Sequence, residues 1–112
     1  MNLPSGTITF LFTDIEGSTR LWEAHPAEMR AAMARHDALL REIVAANAGH
    51  VFKTTGDGIA AAFALASDAL TAALAAQVAL RREPWPAPIA IAARIPGALT
   101  GSIEVRPIRV FN

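Results

Sequence analysis

Two aspartates, each next to a hydrophobic stretch, are the residues best suited to chemistry in this sequence. Asp14 ends the run Thr7 to Asp14 (TITFLFTD), whose apolar, β-branched and aromatic residues predict a buried central strand. Asp57 lies in the segment Lys53 to Gly58 (KTTGDG), which has the residues of a hairpin turn. If that hairpin pairs beside the first strand, both carboxylates converge at one end of the sheet. Such a pair can hold two magnesium ions for a reaction at phosphate.

The residues after Asp14 predict a tight turn and the start of a helix. Gly17 permits the turn, and Ser18 or Thr19 can cap the helix. The free N–H groups of a helix start can hold phosphate oxygens, so Gly17 and Ser18 are candidate substrate-binding residues. The alternative is that Asp14 is only a helix cap. For the segment after Asp14 alone, the helix-cap interpretation is the simpler one. The presence of Asp57 favours a metal site instead.

The segment around Asp57 predicts two strands, at His50–Thr54 and Gly58–Phe63. Gly56 is expected to adopt a positive φ, which places Asp57 at the tip of the hairpin. Lys53 is separated from Asp57 along the strand, and we expect it to contact a different part of a ligand.

The remaining elements follow from hydrophobic periodicity. A short helix is expected at Ser18–Glu23, an amphipathic one from Ala27 to about Asn47, and an alanine-rich one from about Ala66 to Arg82. After a proline-rich connector, Ile89–Ile95 (IAIAARI) is expected to form the fourth strand. The order β, α, α, β, β, α, β predicts an α+β, ferredoxin-like sheet with helices on one face.

Three side chains have both a structural and a functional interpretation. Trp22 is expected in the core, although it could anchor an interface. His36 falls on the apolar stripe of the long helix, where a packed histidine is far commoner than a ligand. Because His25 and His50 show no metal-ligand spacing with it, we expect no histidine metal site. The methionines of the same helix are expected in the core.

Composition narrows the class of protein. The 112 residues allow a single domain with a modest core. Lysine plus arginine and aspartate plus glutamate are ten each, which removes the basic excess of a nucleic-acid binder. There is no cysteine, and the apolar stretch near the N-terminus is too short to span a membrane. We therefore expect a cytoplasmic protein with no membrane and no nucleic-acid partner.

Two segments, TITFLFTDIEGSTRLWE and HVFKTTGDGIAAAF, resemble the catalytic domain of the class III nucleotidyl cyclases, the adenylate and guanylate cyclase family. The resemblance covers roughly the first three quarters of the chain. It implies that Asp14 and Asp57 bind two Mg²⁺ (or Mn²⁺) ions, and that Ile15 lends a backbone carbonyl to one of them. It also implies a lyase that makes cyclic AMP for signal transduction.

The resemblance also implies how substrate is bound. Lys53 matches the lysine that contacts the adenine ring, which implies ATP rather than GTP. In this family the lysine of one subunit serves the metals of the other. The implied partner is therefore a second copy of the chain, as a homodimer, or another cyclase domain.

The resemblance ends near residue 95, so we expect a partial cyclase domain in residues 1–112, family-like over 5–95 and divergent over 96–112. Pro96 is expected to end the fourth strand. No position matches the family's second base-recognising acid or its transition-state asparagine and arginine, so no catalytic residue is assigned beyond the metal ligands. The fold is accordingly expected to be incomplete at the C-terminus. Nothing is carried over onto Arg94, Arg106 and Arg109.

Three functional hypotheses follow. The first is an adenylate cyclase domain, weak or inactive alone because the C-terminal catalytic segment is missing. The second is a nucleotide-binding or dimerising regulatory module without catalysis. The third is an unstable fragment of a truncated or frame-shifted gene.

Overall fold

The computed structural model describes residues 6–15, 17–54, 56–92 and 102–110. Its elements, in chain order, are β1 Gly6–Asp14, α1 Ser18–Ala24, α2 Pro26–Ala46, β2 Gly49–Thr54, β3 Ile59–Phe63, α3 Ala66–Arg82, α4 Ala87–Ala92 and β4 Ser102–Val110. None of the described helices is long and apolar enough to cross a bilayer.

The strands form one antiparallel sheet in the order β2-β3-β1-β4. This is the α+β, ferredoxin-like arrangement expected from the sequence, with β1 at its centre. Side chains alternate between the two faces of a strand. Along β1, Leu11 is buried in the core beneath the helices, whereas Phe10 and Phe12 point to the opposite face and are half-buried.

The main core lies between the sheet and the pair α2 and α3. Alanines on the inner side of α3 let the helix approach the sheet closely, while larger residues of α2 and the strands fill the space. The fully buried members of this cluster are Leu11, Leu40, Val44, Ile59, Ala61, Phe63, Ala69, Ala72, Ala76 and Leu80.

A second cluster joins α1, α2 and α4, and it holds the buried Met29 and Met33, as the helical periodicity predicts. Trp22 packs against its edge and is half-buried, so the expectation of a core tryptophan is met only in part. Trp85 contacts both clusters, and its indole Nε1–H donates to the Leu80 carbonyl at 2.9 Å. The proline-rich connector is therefore tied to the domain.

The prediction of a strand at Ile89–Ile95 is wrong over residues 89–92, and residues 93–95 lie outside the described residues. Residues 87–92 form α4, and Ile89 is completely buried in the second cluster. Proline is tolerated in the first turn of a helix, and alanine has the highest helix propensity, so this segment can be helical. Burial of Ile89 against the neighbouring helices then stabilises the helix over the strand. The expected strand end at Pro96 lies outside the described residues.

The fourth strand is instead formed by residues 102–110, within the segment that the sequence marked only as divergent. β4 pairs with β1 over nine residues, from Gly6 opposite Val110 to Asp14 opposite Ser102. It lies at the edge of the sheet, where the missing N–H of Pro107 is tolerated. The tail therefore supplies a strand that completes the four-stranded order.

Candidate functional site

The end of β1 and the start of β3 are locked together next to the two aspartates. The Ile59 backbone N–H donates a buried hydrogen bond to Thr13 Oγ1 at 2.9 Å. Gly58 packs so closely that a Cβ there would overlap the Thr13 carbonyl. These contacts continue the β1–β3 register beyond Phe12 opposite Ala60. The residues that follow Thr13 and precede Gly58, which are Asp14 and Asp57, therefore come to the same end of the sheet.

A second contact joins the Asp57 loop to the start of α1. The Ser18 hydroxyl donates to Asp57 Oδ2 at 3.2 Å. Ser18 is reached by a turn at Gly17, whose φ of 74° lies in the left-handed region that favours glycine. The sequence expected a positive φ at Gly56, and that is wrong, because among the described glycines only Gly17 has one. Gly17 is also the N-cap of α1, so the expected capping of this helix by Ser18 or Thr19 is wrong.

Five of the predicted site residues lie near this end of β1, with different exposures. Asp14 is exposed and Asp57 is half-buried. The Ile15 side chain is buried in the second cluster, so Ile15 can offer only its backbone polar groups to the site. Gly17 is exposed and Ser18 half-buried on the adjoining turn. That these residues bind metal or substrate stays a prediction.

The donors at this place suit a hard divalent cation. Carboxylate and carbonyl oxygens are the ligands that magnesium prefers, and it keeps several waters or phosphate oxygens in its shell. Among the described residues there is no group of three or more histidine, aspartate or glutamate side chains that could hold a metal. A metal bound by Asp14 and Asp57 therefore takes the rest of its shell from a backbone carbonyl, water or a ligand.

Lys53 is not part of this cluster within one chain. It lies exposed on β2, and β3 separates β2 from β1 in the sheet. Lys53 pairs with Ala60 of β3, and the preceding pair is Val51 with Ala61. The register therefore shifts at Phe52, which is an extra residue of β2. Lys53 can therefore contact a different part of a ligand, as the sequence predicts, or a ligand held by another copy.

The face of the sheet opposite α2 and α3 displays an aromatic group that the sequence analysis missed. The Phe10 ring centroid lies 5.3 Å from that of Phe52 and 6.0 Å from that of Phe12. Phe52 is 49% exposed. The available signal was the alternation of Phe10 and Phe12 along β1, which puts both on one face. Lys53, the residue after Phe52 on β2, lies beside this surface.

The role of Thr13 was also missed, although a polar residue at the end of an apolar strand was a signal. Thr13 is buried, and its hydroxyl bonds a neighbouring strand rather than a ligand. It joins the two strand ends that lead to the aspartates.

His36 is a buried histidine of α2 near the site. Its Nδ1 lies 3.4 Å from Asp37 Oδ1. Burial lowers the pKa of the imidazole below its ordinary value, while the carboxylates of Asp37 and Asp57 act in the opposite direction. As the sequence predicts, it is a packed residue.

The lowered pKa of His36 predicts acid-sensitive stability. The unfolded chain takes up the proton near pH 6.5 and the folded chain only at lower pH. The free energy of unfolding is therefore highest above pH 6.5. It decreases as the pH is lowered further, by at most about 1.4 kcal/mol per pH unit. We expect His36→Met to reduce this slope in urea titrations at several pH values. The exposed His50→Gln is the matched control, and an unchanged slope in His36→Met would contradict the assignment.

Comparison with known proteins places this geometry in a family. Residues 2–82 match the model of the adenylate and guanylate cyclase catalytic domain. The adenylate cyclase of Podospora anserina is 40% identical over 84 residues, 75% of this chain and 4% of that protein. The adenylate cyclase of Schizosaccharomyces pombe is 39% identical over 83 residues, 74% of this chain and 5% of that protein. The chain thus spans only about a twentieth of these relatives.

Solved structures agree with the sequence relatives. Adenylate cyclases of Trypanosoma brucei, solved in their monomeric state, superpose with TM-scores of 0.76 and 0.75. The first is 30% identical and is matched over 84% of this chain and 40% of its own. The second is 27% identical and is matched over 96% and 57%. The chain therefore belongs to the adenylate and guanylate cyclase catalytic domain family.

Proposed function

We propose that this chain is an adenylate cyclase-type domain, which converts ATP to cyclic AMP and pyrophosphate in intracellular signalling. The similarity to fungal and trypanosomal adenylate cyclases supports the reaction class. A chain without cysteine is compatible with the reducing cytoplasm, where the proposed substrate is found.

The observation that supports this proposal best is the lock between β1 and β3. The Ile59 N–H bond to Thr13 Oγ1 and the close approach of Gly58 hold together the strand ends that lead to Asp14 and Asp57. Both carboxylates are at least partly accessible. We assign them as ligands of two Mg²⁺ (or Mn²⁺) ions, with the Ile15 carbonyl as a further donor. When bound, such ions neutralise phosphate charge and activate the attacking oxygen.

In the reaction, the ribose 3′ oxygen attacks the α-phosphorus and its proton passes to solvent. The bond from the α-phosphorus to the bridging oxygen of pyrophosphate breaks. Ser18 holds Asp57 in place, and Gly17 and Ser18 form the turn beside the phosphates. These residues bind and orient the substrate.

The position of Lys53 favours a paired domain. Because β3 lies between β2 and β1, Lys53 stands apart from the aspartates of its own chain. We propose that Lys53 recognises the adenine of a nucleotide held by the aspartates of another copy or of another cyclase domain. The face of the sheet opposite α2 and α3, which carries Phe10 and Phe52, adjoins Lys53 and would supply apolar surface for this pairing.

The direct test is to incubate the purified, folded chain with ATP and Mg²⁺ or Mn²⁺ and to measure cyclic AMP. Thermal stabilisation by magnesium-ATP is measured in parallel, since a ligand that binds only the folded state raises its stability. Stabilisation with cyclic AMP formation supports the cyclase. Stabilisation without turnover supports the alternative, a nucleotide-binding or dimerising regulatory module. Absence of both would contradict the nucleotide site.

Base preference gives a separate prediction at Lys53, which is the only lysine of the chain. We expect Lys53→Glu to weaken ATP binding by at least tenfold and GTP binding less, because the ammonium group would donate to a ring acceptor. Calorimetric titration with each nucleotide measures this difference. Arg41→Glu is the control, because it makes the same charge change at an exposed position of α2. Equal losses for ATP and GTP would mean that Lys53 contacts phosphate instead.

A further inference from the structure

The residue that follows Asp14 is anchored in the second cluster. Ile15 is only 2% exposed, and its side chain packs among buried residues of three helices. These residues are Leu21 of α1, Met29, Ala32 and Met33 of α2, and Ile89 of α4. Protein cores are close-packed, so the volume of each member restricts the positions of the others. The position of Ile15 therefore depends on how this cluster is filled.

Ile89 is the contribution of α4 to the second cluster, and it is completely buried. Truncation of a fully buried aliphatic side chain leaves a cavity, and the surrounding side chains relax partly into it. Ile15 belongs to the cluster that would relax. The volume of Ile89 is therefore one of the factors that keep the Ile15 side chain in place.

Two contacts fix the connector that leads to Ile89. Arg35 of α2 donates from Nε to Glu83 Oε1 at 2.7 Å. The Trp85 ring packs against both clusters, and its Nε1–H donates to the Leu80 carbonyl at 2.9 Å. The connector is thus tied to α2 and to the end of α3, and Ile89 enters the second cluster from a fixed support.

This support lies outside the part of the chain that matches the family model. The match covers residues 2–82, whereas the connector and α4 comprise residues 83–92. Membership of the family therefore gives no role to Trp85 or Ile89. Their connection with the candidate site comes from the packing of this chain.

We propose that Ile89 is a positioning residue for the metal site and that it acts through Ile15. This role rests on the proposed function, in which the Ile15 carbonyl is a metal ligand beside Asp14. When Ile89 fills the second cluster, the anchored Ile15 side chain restricts the backbone between Asp14 and the turn at Gly17. A ligand that is already ordered loses less conformational entropy when the metal binds, so the affinity is higher.

Ile89→Ala is expected to weaken the binding of manganese-ATP by about tenfold, as is common when a residue that supports a metal ligand is replaced. Leu40→Ala is the matched control, because Leu40 is also fully buried but belongs to the main core. Both changes remove a large aliphatic side chain and should lower the melting temperature. Calorimetric titration with ATP and Mn²⁺, at a temperature where circular dichroism shows each variant folded, should find parental affinity in Leu40→Ala.

A double-mutant cycle tests whether Ile89 acts through Ile15. Ile15→Ala keeps the backbone carbonyl and removes the side chain that the second cluster holds. We expect the double variant Ile15→Ala/Ile89→Ala to bind manganese-ATP no more weakly than Ile15→Ala alone, because residues that act through one another are not additive. Ile89→Leu, which conserves the volume, should restore parental affinity. Fully additive losses would show that the two residues act independently and would overturn the proposal.

The result for the parent chain separates this role of Ile89 from the proposed function. If the parent chain does not bind manganese-ATP, the metal assignment is wrong and the role of Ile89 fails with it. If the parent chain binds and Ile89→Ala binds equally well, only the role of Ile89 is wrong. Equal losses in Ile89→Ala and Leu40→Ala would reflect general instability and would also overturn it. Should Ile89→Ala fail to fold, Ile89→Val takes its place, with a smaller loss expected and parental affinity overturning the proposal.

Discussion

Asp57→Asn and Asp14→Asn are each expected to lower the affinity for magnesium-ATP by at least about 10²-fold while the domain stays folded. Even residues that only support a metal ligand change affinity by about 10- to 100-fold when they are replaced, and a direct ligand should cost no less. Asparagine keeps the size of the side chain and removes its charge. The exposed Asp14 and the half-buried Asp57 contribute little to the core, so the fold should tolerate both changes.

The measurement is calorimetric titration of each variant with ATP in the presence of Mg²⁺, beside thermal unfolding without nucleotide. Glu42→Gln is the matched control, since it neutralises an exposed carboxylate on α2. Its affinity should equal that of the parent chain. If both aspartate variants retain parental affinity, the two-metal assignment is wrong. If Asp14→Asn unfolds the domain instead, Asp14 has a structural role in the turn after β1 rather than a role in metal binding.

Gly58→Ala is expected to destabilise the domain by about 3 kcal/mol or more, because a Cβ at this position would overlap the Thr13 carbonyl. The obstacle is backbone, which cannot move aside as a flexible side chain can. The buried bond from the Ile59 N–H to Thr13 Oγ1 would be strained by the same shift. For a domain of this size the loss corresponds to a fall in melting temperature of roughly 10 °C or more.

Gly56→Ala is the matched control two residues away. No atom lies within 4 Å of a Cβ built at Gly56, so this change should alter stability by less than about 0.5 kcal/mol. Urea unfolding of both variants gives the comparison. Gly58→Ala should also weaken nucleotide binding in whatever fraction remains folded, because it displaces the strand that leads from Asp57. Equal stabilities of the two variants would show that β1 and β3 are not locked at Thr13.

The amino-acid sequence alone predicts the elements whose signals are local. The alternating pattern of β1, the three-to-four-residue periodicity of α2 and the alanine-rich run of α3 each predict an element close to the one observed. The turn residues near Asp57 likewise predict that two strands flank it. These patterns depend on side chains a few residues apart, so they can be read without knowing the rest of the fold.

The candidate site was predictable in part for the same reason. Each aspartate is adjacent to a strand in the sequence, which places it at an end of the sheet. Whether the two aspartates lie at the same end depends on how β1 pairs with β3. That pairing is fixed by the contact between Thr13 and Ile59, which are 46 residues apart in the sequence. A polar residue at position 13 indicates that a hydrogen bond is formed there, but the sequence does not indicate its partner.

Only the tertiary structure decides the identity of the fourth strand. Residues 89–95 alternate like a strand in the sequence, yet Ile89 packs against α1 and α2, and residues 89–92 belong to α4. The edge beside β1 is filled instead by β4 from the divergent tail, and that pairing joins residues far apart in the chain. The separation of Lys53 from the aspartates follows equally from strand order, because β3 is inserted between β2 and β1. Long-range pairing has no local signature, and it therefore appears only when the chain is folded.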